Sequence, residues 1–158
     1  MRIKEKLLKY LLPALILLNL LFIYTQSALP PETSGAESDA VGEIVGEIIP
    51  PETKPGAFIQ INLRKIAHFV EFFSLGILSA LYVALELKQK SFVALSYPAS
   101  LLAAFFDESI QMLSGRGPSI FDVWLDFSGF FISASLTYLV FFTAKYFIIR
   151  KRTGNVTE

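Results

Sequence analysis

Four long apolar runs constrain the fold of this chain more than any other feature of its sequence. They cover Leu7–Ala28, Ile66–Leu87, Phe92–Leu113 and Ile120–Ile149. A helix needs about 20 apolar residues to cross a bilayer, and each run is long enough. The runs do not alternate, and a membrane sheet would have to close into a barrel of about eight strands or more. The sequence therefore predicts an all-α integral membrane protein, built as a four-helix bundle.

Composition supports a membrane protein and excludes other classes. Apolar residues make up 53% of the chain, and its mean hydropathy is +0.53, which excludes a disordered protein. The 14 Lys and Arg residues balance 14 Asp and Glu residues, whereas a nucleic-acid binder has a basic excess. The absence of Cys excludes disulfides, zinc–thiolate sites and thiol nucleophiles. We therefore expect the lipid bilayer as a partner and no nucleic acid; nothing in the composition indicates an oligomeric state.

The placement of basic residues predicts the orientation of the four helices. Ten of the 14 lie at the two ends of the chain or between the second and third runs: Arg2, Lys4, Lys6, Lys9, Lys88, Lys90, Lys145, Arg150, Lys151 and Arg152. Four crossings put these three regions on one side, which the positive-inside rule assigns to the cytoplasm. We therefore predict a multi-pass protein of the cell membrane with both termini in the cytoplasm. Alternatively, the first run is a signal peptide cleaved near Thr25–Ser27, which leaves the other crossings unchanged.

The runs divide the chain into four parts. These are an N-terminal transmembrane helix (1–28), an acidic extracytoplasmic loop (29–63), a three-helix membrane domain (64–149) and a basic cytoplasmic tail (150–158). The loop contains the tetrapeptide Pro-Pro-Glu-Thr twice, and its Pro, Gly, Ser and Glu content is typical of a flexible linker. A short helix around Val41–Ile49 is the alternative, because the apolar residues there share one helical face.

Acidic residues and the single His occur inside three of the four runs. Each costs about 2.5–3.5 kcal/mol near the centre of a membrane helix, so such residues are rare without a function. With a rise of about 1.5 Å per residue, all of them except Glu86, which lies at the cytoplasmic end of the second run, fall within roughly 9 Å of the outer boundary. They are His68 and Glu71 in the second run, Asp107 and Glu108 in the third, and Asp122 and Asp126 in the fourth. Their common depth predicts that they converge on one site.

Helical spacing supports this convergence. Arg64, His68 and Glu71 follow the i, i+4, i+7 spacing of one helical face. A second face, on the fourth run, carries Asp122 and Asp126 together with the small residues Gly129 and Ser133. Small residues allow membrane helices to approach closely, so we expect tight packing on this face.

The residue types at this site suit two kinds of chemistry. Clustered carboxylates beside one imidazole can perform general acid–base catalysis, or they can bind a divalent cation. The candidate catalytic residues are His68, Glu71, Asp107, Glu108 and Asp126. The candidate substrate-binding residues, which would orient a ligand or attract an anionic headgroup, are Arg64, Gln111, Arg116 and Asp122. No other cofactor is indicated, since a single His excludes zinc motifs that need two.

Structural roles for the same residues stay open. Asp122 follows Ser119 by three residues, which is the spacing of a helix capping box. Arg64 can serve as an interfacial anchor, and the buried carboxylates can act as a polar lock between helices. A serine nucleophile beside His68 is a further alternative, although no nucleophile elbow is present.

Three motifs in the membrane domain resemble those of the VanZ-like family. They are Arg64-Lys65-x-x-His68-Phe69-x-Glu71-Phe72 with Leu75-Gly76, then Asp107-Glu108-x-x-Gln111, then Arg116 with Asp122-x-x-x-Asp126-x-x-Gly129. The resemblance covers roughly residues 64–142, in order and with suitable spacing. The family often has Asn at the position of Asp126, so this chain departs from its pattern there. The resemblance implies a small bacterial membrane protein, and the namesake of the family is linked to resistance to the glycopeptide antibiotic teicoplanin.

These observations lead to one functional hypothesis and its rivals. We expect a VanZ-like protein of the bacterial cell envelope with an outward-facing carboxylate and histidine site. This site would act on, or bind, a lipid-linked or cell-wall ligand, with a role in glycopeptide resistance implied by the resemblance. The alternatives are a non-catalytic binding or assembly protein whose polar residues lock the helices, and a transporter of ions or small solutes. The sequence does not decide whether the protein is an enzyme.

Overall fold

The computed structural model describes residues 3–87, 89–117 and 119–154. Two of the basic residues on which the orientation prediction depends, Arg2 and Lys88, lie outside the described residues. The same holds for the last four residues of the predicted tail and for five basic side chains: Lys4, Lys6, Lys90, Lys151 and Arg152. Pro118, in the turn before the fourth run, is also outside.

Five α-helices account for nearly all of the described residues. They are α1 (Ile3–Ser27), α2 (Pro31–Ile48), α3 (Lys54–Tyr82), α4 (Lys90–Leu113) and α5 (Ile120–Gly154), and α3 continues into a π-helical segment at Val83–Leu87. No strand occurs in this part of the chain. The all-α prediction is therefore confirmed.

Three of the helices are long and apolar enough to cross a membrane. Within the described ranges, these candidate spans are Lys9–Ser27, Lys54–Leu87 and Ile120–Arg150. The third predicted run also forms a helix, α4, of 24 residues. Its serines, Pro98 and the acidic pair near its end lower its mean hydropathy, and it is not among the three. Crossing by α4, and with it a bundle of four membrane helices, stays a prediction.

The outer faces of the helices are suited to lipid. Large apolar side chains are more than half exposed on α1, for example Leu17 and Leu18 (59% and 60%), and on α5, for example Leu139 and Val140 (64% and 67%). A soluble monomer rarely exposes contiguous apolar surface of this extent. The exposed faces therefore fit a membrane-embedded protein whose solvent is the bilayer.

The closest helix packing joins α3 to α5. A Cβ atom at Gly129 would lie 2.5 Å from the carbonyl oxygen of Phe69, and one at Gly76 would collide with Ser133 and with the backbone of Phe130. Backbone cannot move aside as a flexible side chain can, so only glycine allows this approach. Phe72 and Phe130 are buried beside the crossing and belong to the apolar core. This packing confirms the expectation for the small-residue face of the fourth run.

The acidic segment contains more regular structure than a flexible linker would have. It forms the 18-residue helix α2, which extends well beyond the short helix considered at Val41–Ile49. Pro31 and Glu32 stand in its first turn, where a fixed φ angle and a negative charge both favour a helix. The Gln60 amide donates to the carbonyl oxygen of Gly42 at 2.6 Å and thereby ties α2 to α3.

The helix α3 begins earlier than the predicted domain boundary at residue 64. Thr53 is its N-cap, and the Thr53 hydroxyl accepts a hydrogen bond from the Gly56 N–H at 3.1 Å. Pro55 follows in the first turn, where its missing N–H is not needed. Each Pro-Pro-Glu-Thr tetrapeptide therefore lies at the start of a helix, and the second membrane span extends through the end of the predicted loop.

Candidate functional site

The candidate site lies where α1 and α4 end and α5 begins, beside the middle of α3. The Ser114 hydroxyl donates to the Ser27 carbonyl at 2.9 Å, which joins the ends of α1 and α4. The helix α2 lies at the same end, since it packs on the first turns of α3. All the candidate site residues are therefore gathered in one region of the molecule.

Three predicted catalytic residues come within ligand distance of one another. Each of His68, Asp107 and Asp126 offers one ligand atom, and these three atoms all lie within 4.8 Å of one another. The carboxylate of Glu71 is next to them, with its Oε2 atom 3.3 Å from His68 Nδ1. We call these four residues the polar cluster. It combines side chains from α3, α4 and α5, as helical phase predicted.

Asp107 is buried and held by hydrogen bonds on both of its oxygens. The Ser27 hydroxyl donates to Oδ1 at 2.5 Å, and the Gln111 amide donates to Oδ2 at 2.7 Å. Two such bonds fix the orientation of the carboxylate and connect α1 to α4. Sequence reasoning missed Ser27 as part of the site. Its position at the C-terminal end of the first run, level with the other polar residues, is the signal that could have identified it.

Asp126 has the opposite surroundings. Its side chain is buried, with 1% of the residue exposed, and neither carboxylate oxygen has a hydrogen-bond partner. Glu71 Oε2 and His68 Nδ1 are also buried, and they face each other at 3.3 Å without a well-formed hydrogen bond to any group. Among the described residues, no Lys or Arg forms a salt bridge with the polar cluster. The cluster therefore contains more negative groups than the surrounding protein compensates.

Glu108 and Asp122 organise the start of α5 instead of joining the polar cluster. The Glu108 carboxylate accepts a hydrogen bond from the backbone N–H of Ser119. The Ser119 hydroxyl in turn accepts from the Asp122 N–H at 3.3 Å, which is half of a capping box. The Asp122 carboxylate forms a half-exposed ion pair with Lys65 at 3.3 Å. The geometry thus favours the structural alternative for Asp122.

Arg116 caps the end of α1. Its Nη2 atom donates to the carbonyl oxygens of Gln26 and Leu29 at 3.0 and 2.9 Å, and its Nη1 atom donates to the Gln111 side chain at 3.4 Å. Burial, and next the positive charge of Arg64, lower the pKa of the Arg116 guanidinium. The two arginines therefore repel each other across the site, and an anion between them would relieve that repulsion.

Two cavities meet at the polar cluster. One has a volume of about 420 Å³ and a polar lining that includes Arg64, Gln111, Arg116 and Asp126. The other, of about 430 Å³, lies between α1, α2 and α3 and has a largely apolar lining: Phe22, Val41, Leu63, Ile66, Ala67 and Val70. Four residues line both cavities: Ser38, Leu63, Arg64 and His68. A ligand that occupies both would therefore pass beside His68.

Comparison with known proteins gives one family. Neither the curated proteins nor the solved structures compared with this chain contain a match. The family described as VanZ/LLP1 matches residues 11–142, which includes most of α1, the whole of α2 and all of the polar cluster. Since this range is most of the 158 residues, the resemblance seen in the motifs extends to the N-terminal helix and to α2. The chain belongs to the VanZ/LLP1 family.

Proposed function

We propose that this protein is a cell-envelope membrane protein whose site faces outward and binds a lipid-linked ligand with an anionic headgroup. In this proposal α4 is the third of four crossings, and both termini lie in the cytoplasm. The polar end of the bundle then lies in the outer half of the membrane, where lipid-linked cell-wall intermediates are exposed. The basic residues at the opposite end support this orientation.

The junction of the two cavities is the observation that carries the proposal. One cavity has polar and charged walls and the other has apolar walls, and Arg64 and His68 stand in both. An amphiphile matches this arrangement, with its headgroup in the first cavity and the start of its acyl or prenyl chain in the second. A free polar solute would leave the apolar cavity unused, and a simple hydrocarbon would leave the polar one unused.

The charges of the polar cavity support an anionic headgroup. Arg64 and Arg116 both line it, and a guanidinium binds phosphate or carboxylate oxygens through paired donors. Arg116 keeps one donor atom, Nε, that is buried without a partner. Asp39, Asp122 and Asp126 line the same cavity, so in this proposal the anion lies against the arginine side of the cavity. Gln111 would orient the Asp107 carboxylate, as it does in the present geometry.

The polar cluster gives the proposal two chemical forms. In the catalytic form, His68 transfers a proton at Nδ1, and Glu71, Asp107 or Asp126 acts as the acid or base. In the binding form, the same groups recognise the ligand without changing it. Glu108 and Asp122 would then contribute by shaping the start of α5, as their bonds to Ser119 and Lys65 suggest.

Ligand binding to the purified protein tests the proposal. The wild-type chain in nanodiscs should bind a polyprenyl phosphate at least ten times more tightly than phosphatidylcholine or inorganic phosphate, because only the first occupies both cavities. Arg64→Gln should lose most of this preference. Lys54→Gln is the matched control, since it removes a positive charge from the exposed first turn of the same helix, away from both cavities. Equal binding of all three probes, or equal loss in both variants, would contradict the proposal.

A role in glycopeptide resistance is tested separately in cells. We propose that expression of the chain in a susceptible bacterium raises the teicoplanin concentration needed to stop growth. Glu71→Gln and Asp107→Asn should abolish that effect at normal protein levels, because they remove charge and keep shape. Unchanged resistance in both variants would place the resistance function outside the polar cluster.

One observation favours the alternative of a structural polar lock. Asp107 uses both oxygens to bind Ser27 and Gln111, so it already has a complete role in joining α1 to α4. Loss of the Asp107→Asn protein from the membrane fraction would support this alternative. Asp126 accepts no hydrogen bond, and Glu71 Oε2 faces His68 Nδ1 at 3.3 Å on the same helix, so the lock does not explain these two carboxylates.

A further inference from the structure

We infer that His68, Asp107 and Asp126 bind one divalent transition-metal ion, with Mn²⁺ and Zn²⁺ as the best matches. The inference rests on the binding form of the proposed site, since a metal-bound His68 Nδ1 could not transfer a proton, but it does not depend on the lipid ligand.

The geometry of the three side chains suits a metal centre. Their ligand atoms lie within 4.8 Å of one another. Bonds of about 2.0–2.2 Å to a central ion place neighbouring ligand atoms roughly 3–4 Å apart, so side-chain shifts on the order of 1 Å would complete the site. Each residue comes from a different helix, and α3 and α5 are held rigidly by the glycine contacts at Gly76 and Gly129.

The unpartnered atoms point to a missing cation. Asp126 is buried, and both of its oxygens lack a hydrogen-bond donor. His68 Nδ1 is also buried without a hydrogen-bond partner, and its nearest charged neighbours are carboxylates at 3.3 and 3.7 Å. Buried polar atoms are nearly always satisfied in native proteins. An ion among these atoms would satisfy the histidine nitrogen and a carboxylate oxygen at once.

The surroundings of Asp107 resemble the outer shell of a metal site. Metal-bound carboxylates are commonly held in place by further hydrogen bonds. Ser27 and Gln111 hold both oxygens of Asp107 in this way, each leaving lone pairs on the oxygen it contacts. The polar cavity, which His68 and Asp126 line, gives access from outside the bundle and space for water or ligand in the remaining positions.

One imidazole and two carboxylates indicate the class of metal. Carboxylate oxygens suit Mn²⁺ and Mg²⁺, imidazole suits Zn²⁺ and other late transition metals, and the lack of Cys removes ligands for softer ions. Mg²⁺ usually keeps several waters and binds few protein groups, so a site with three converging side chains favours Mn²⁺ or Zn²⁺.

Metal content of the purified full chain tests the inference. The protein is stripped with EDTA, incubated with MnCl₂ or ZnCl₂, desalted and measured by mass spectrometry of the metal. We expect about one ion per wild-type chain and less than about a tenth of that for Asp126→Asn. Glu47→Gln is the matched control, because it removes an exposed carboxylate of α2 at the same end of the molecule; it should bind as the wild type does.

A milder variant covers the case in which Asp126→Asn fails to fold. Ser27→Ala keeps all three ligands and removes only one bond to Asp107, so metal affinity should fall about 10- to 100-fold. If the wild-type protein binds about a tenth of an ion per chain or less, the inference is wrong whatever the variants show. Polyprenyl phosphate binding by that metal-free protein would leave the proposed function standing, and metal binding without lipid binding would do the reverse.

Discussion

At the scale of single residues, Asp107 and Asp126 show how two buried carboxylates in one cluster can differ. Asp107 accepts hydrogen bonds on both oxygens, from Ser27 and Gln111. Asp126 accepts none from the described residues. A buried charged group is costly unless it is paired or hydrogen-bonded, so the first carboxylate stabilises the fold and the second destabilises it until a cation or proton arrives.

Removal of the Ser27 hydroxyl should destabilise the protein. In Ser27→Ala the Asp107 Oδ1 atom stays buried without this donor, and a lost partner of this kind costs about 1–3 kcal/mol. Denaturant unfolding in detergent measures the change in free energy. Thr25→Ala is the control on the same helix, because the exposed Thr25 hydroxyl bonds only to the Leu21 carbonyl one turn away. Equal losses in both variants would show that the bond to Asp107 is not special.

Asp126→Asn should have the opposite effect in the absence of metal. An amide removes the uncompensated charge and supplies N–H donors to the neighbouring carboxylates, so we expect the free energy of unfolding in EDTA to rise by about 1–3 kcal/mol. With saturating Mn²⁺ the wild type should instead be more stable than Asp126→Asn, since a ligand stabilises only the protein that binds it.

The control for this prediction is Asp122→Asn, one turn away on α5. Its half-exposed ion pair with Lys65 is worth only about 0–1 kcal/mol. Thermal unfolding with and without MnCl₂ compares the three proteins. A less stable Asp126→Asn in EDTA would mean that the carboxylate is already compensated in the folded protein.

At the scale of helices, the contact between α3 and α5 positions His68 against Asp126. Gly129→Ala places a methyl group against the backbone carbonyl of Phe69, so the helices must separate. Overpacking of this kind costs about 1–3 kcal/mol. We expect lower thermal stability and weaker metal binding together, because the same displacement moves the ligands apart.

Gly35→Ala is the matched control for the glycine contact. Gly35 lies in α2 with open space around its Cβ position, so alanine there adds helix propensity and should stabilise by about 0.5–1 kcal/mol. A harmless Gly129→Ala would show that the α3–α5 contact tolerates movement and does not fix the site.

The helices also show what could be predicted from sequence. Hydrophobic length identified the four apolar helices, because lipid requires continuous apolar surface. Helical phase and common depth brought His68, Asp107 and Asp126 together, since no ionisable face is stable against lipid. The full length of α2 was missed, because its polar composition resembles a linker and its stability comes partly from a tertiary contact, Gln60 with Gly42. The early start of α3 could have been predicted from Thr53, because an N-cap residue followed by proline is typical of the start of a helix.

Other parts of the site depend on contacts that sequence alone does not give. Ser27 joins Asp107 across 80 residues, and no local pattern encodes that pair. The roles of Glu108 and Arg116 were likewise set by the ends of neighbouring helices. Glu108 accepts from the N–H of Ser119, just before α5, and Arg116 donates to the carbonyls of Gln26 and Leu29 at and just after the end of α1. Helix ends need partners from elsewhere, and three-dimensional proximity chooses them.

At the scale of the whole molecule, function depends on which side of the membrane the polar end faces. The polar cluster, both cavities and α2 are all at that end, so an inward orientation would give the site a different set of ligands. Whether α4 crosses the membrane also determines the side on which α5 begins. The residues on either side of α4, Gln89 and Gly117, are exposed, and the chain has no native Cys to interfere with labelling.

Cysteine labelling in intact cells tests this topology. Gly117→Cys should react with a membrane-impermeant maleimide from outside, because a side chain at Gly117 meets open space beside the proposed outer mouth. Gln89→Cys should react only after the cells are permeabilised, because it precedes α4 on the side where the basic residues gather. Labelling of both in intact cells would show that α4 does not cross. Labelling of Gln89→Cys alone would show that the protein has the opposite orientation in the membrane. The proposal of an outward-facing site for a lipid-linked ligand would then be wrong.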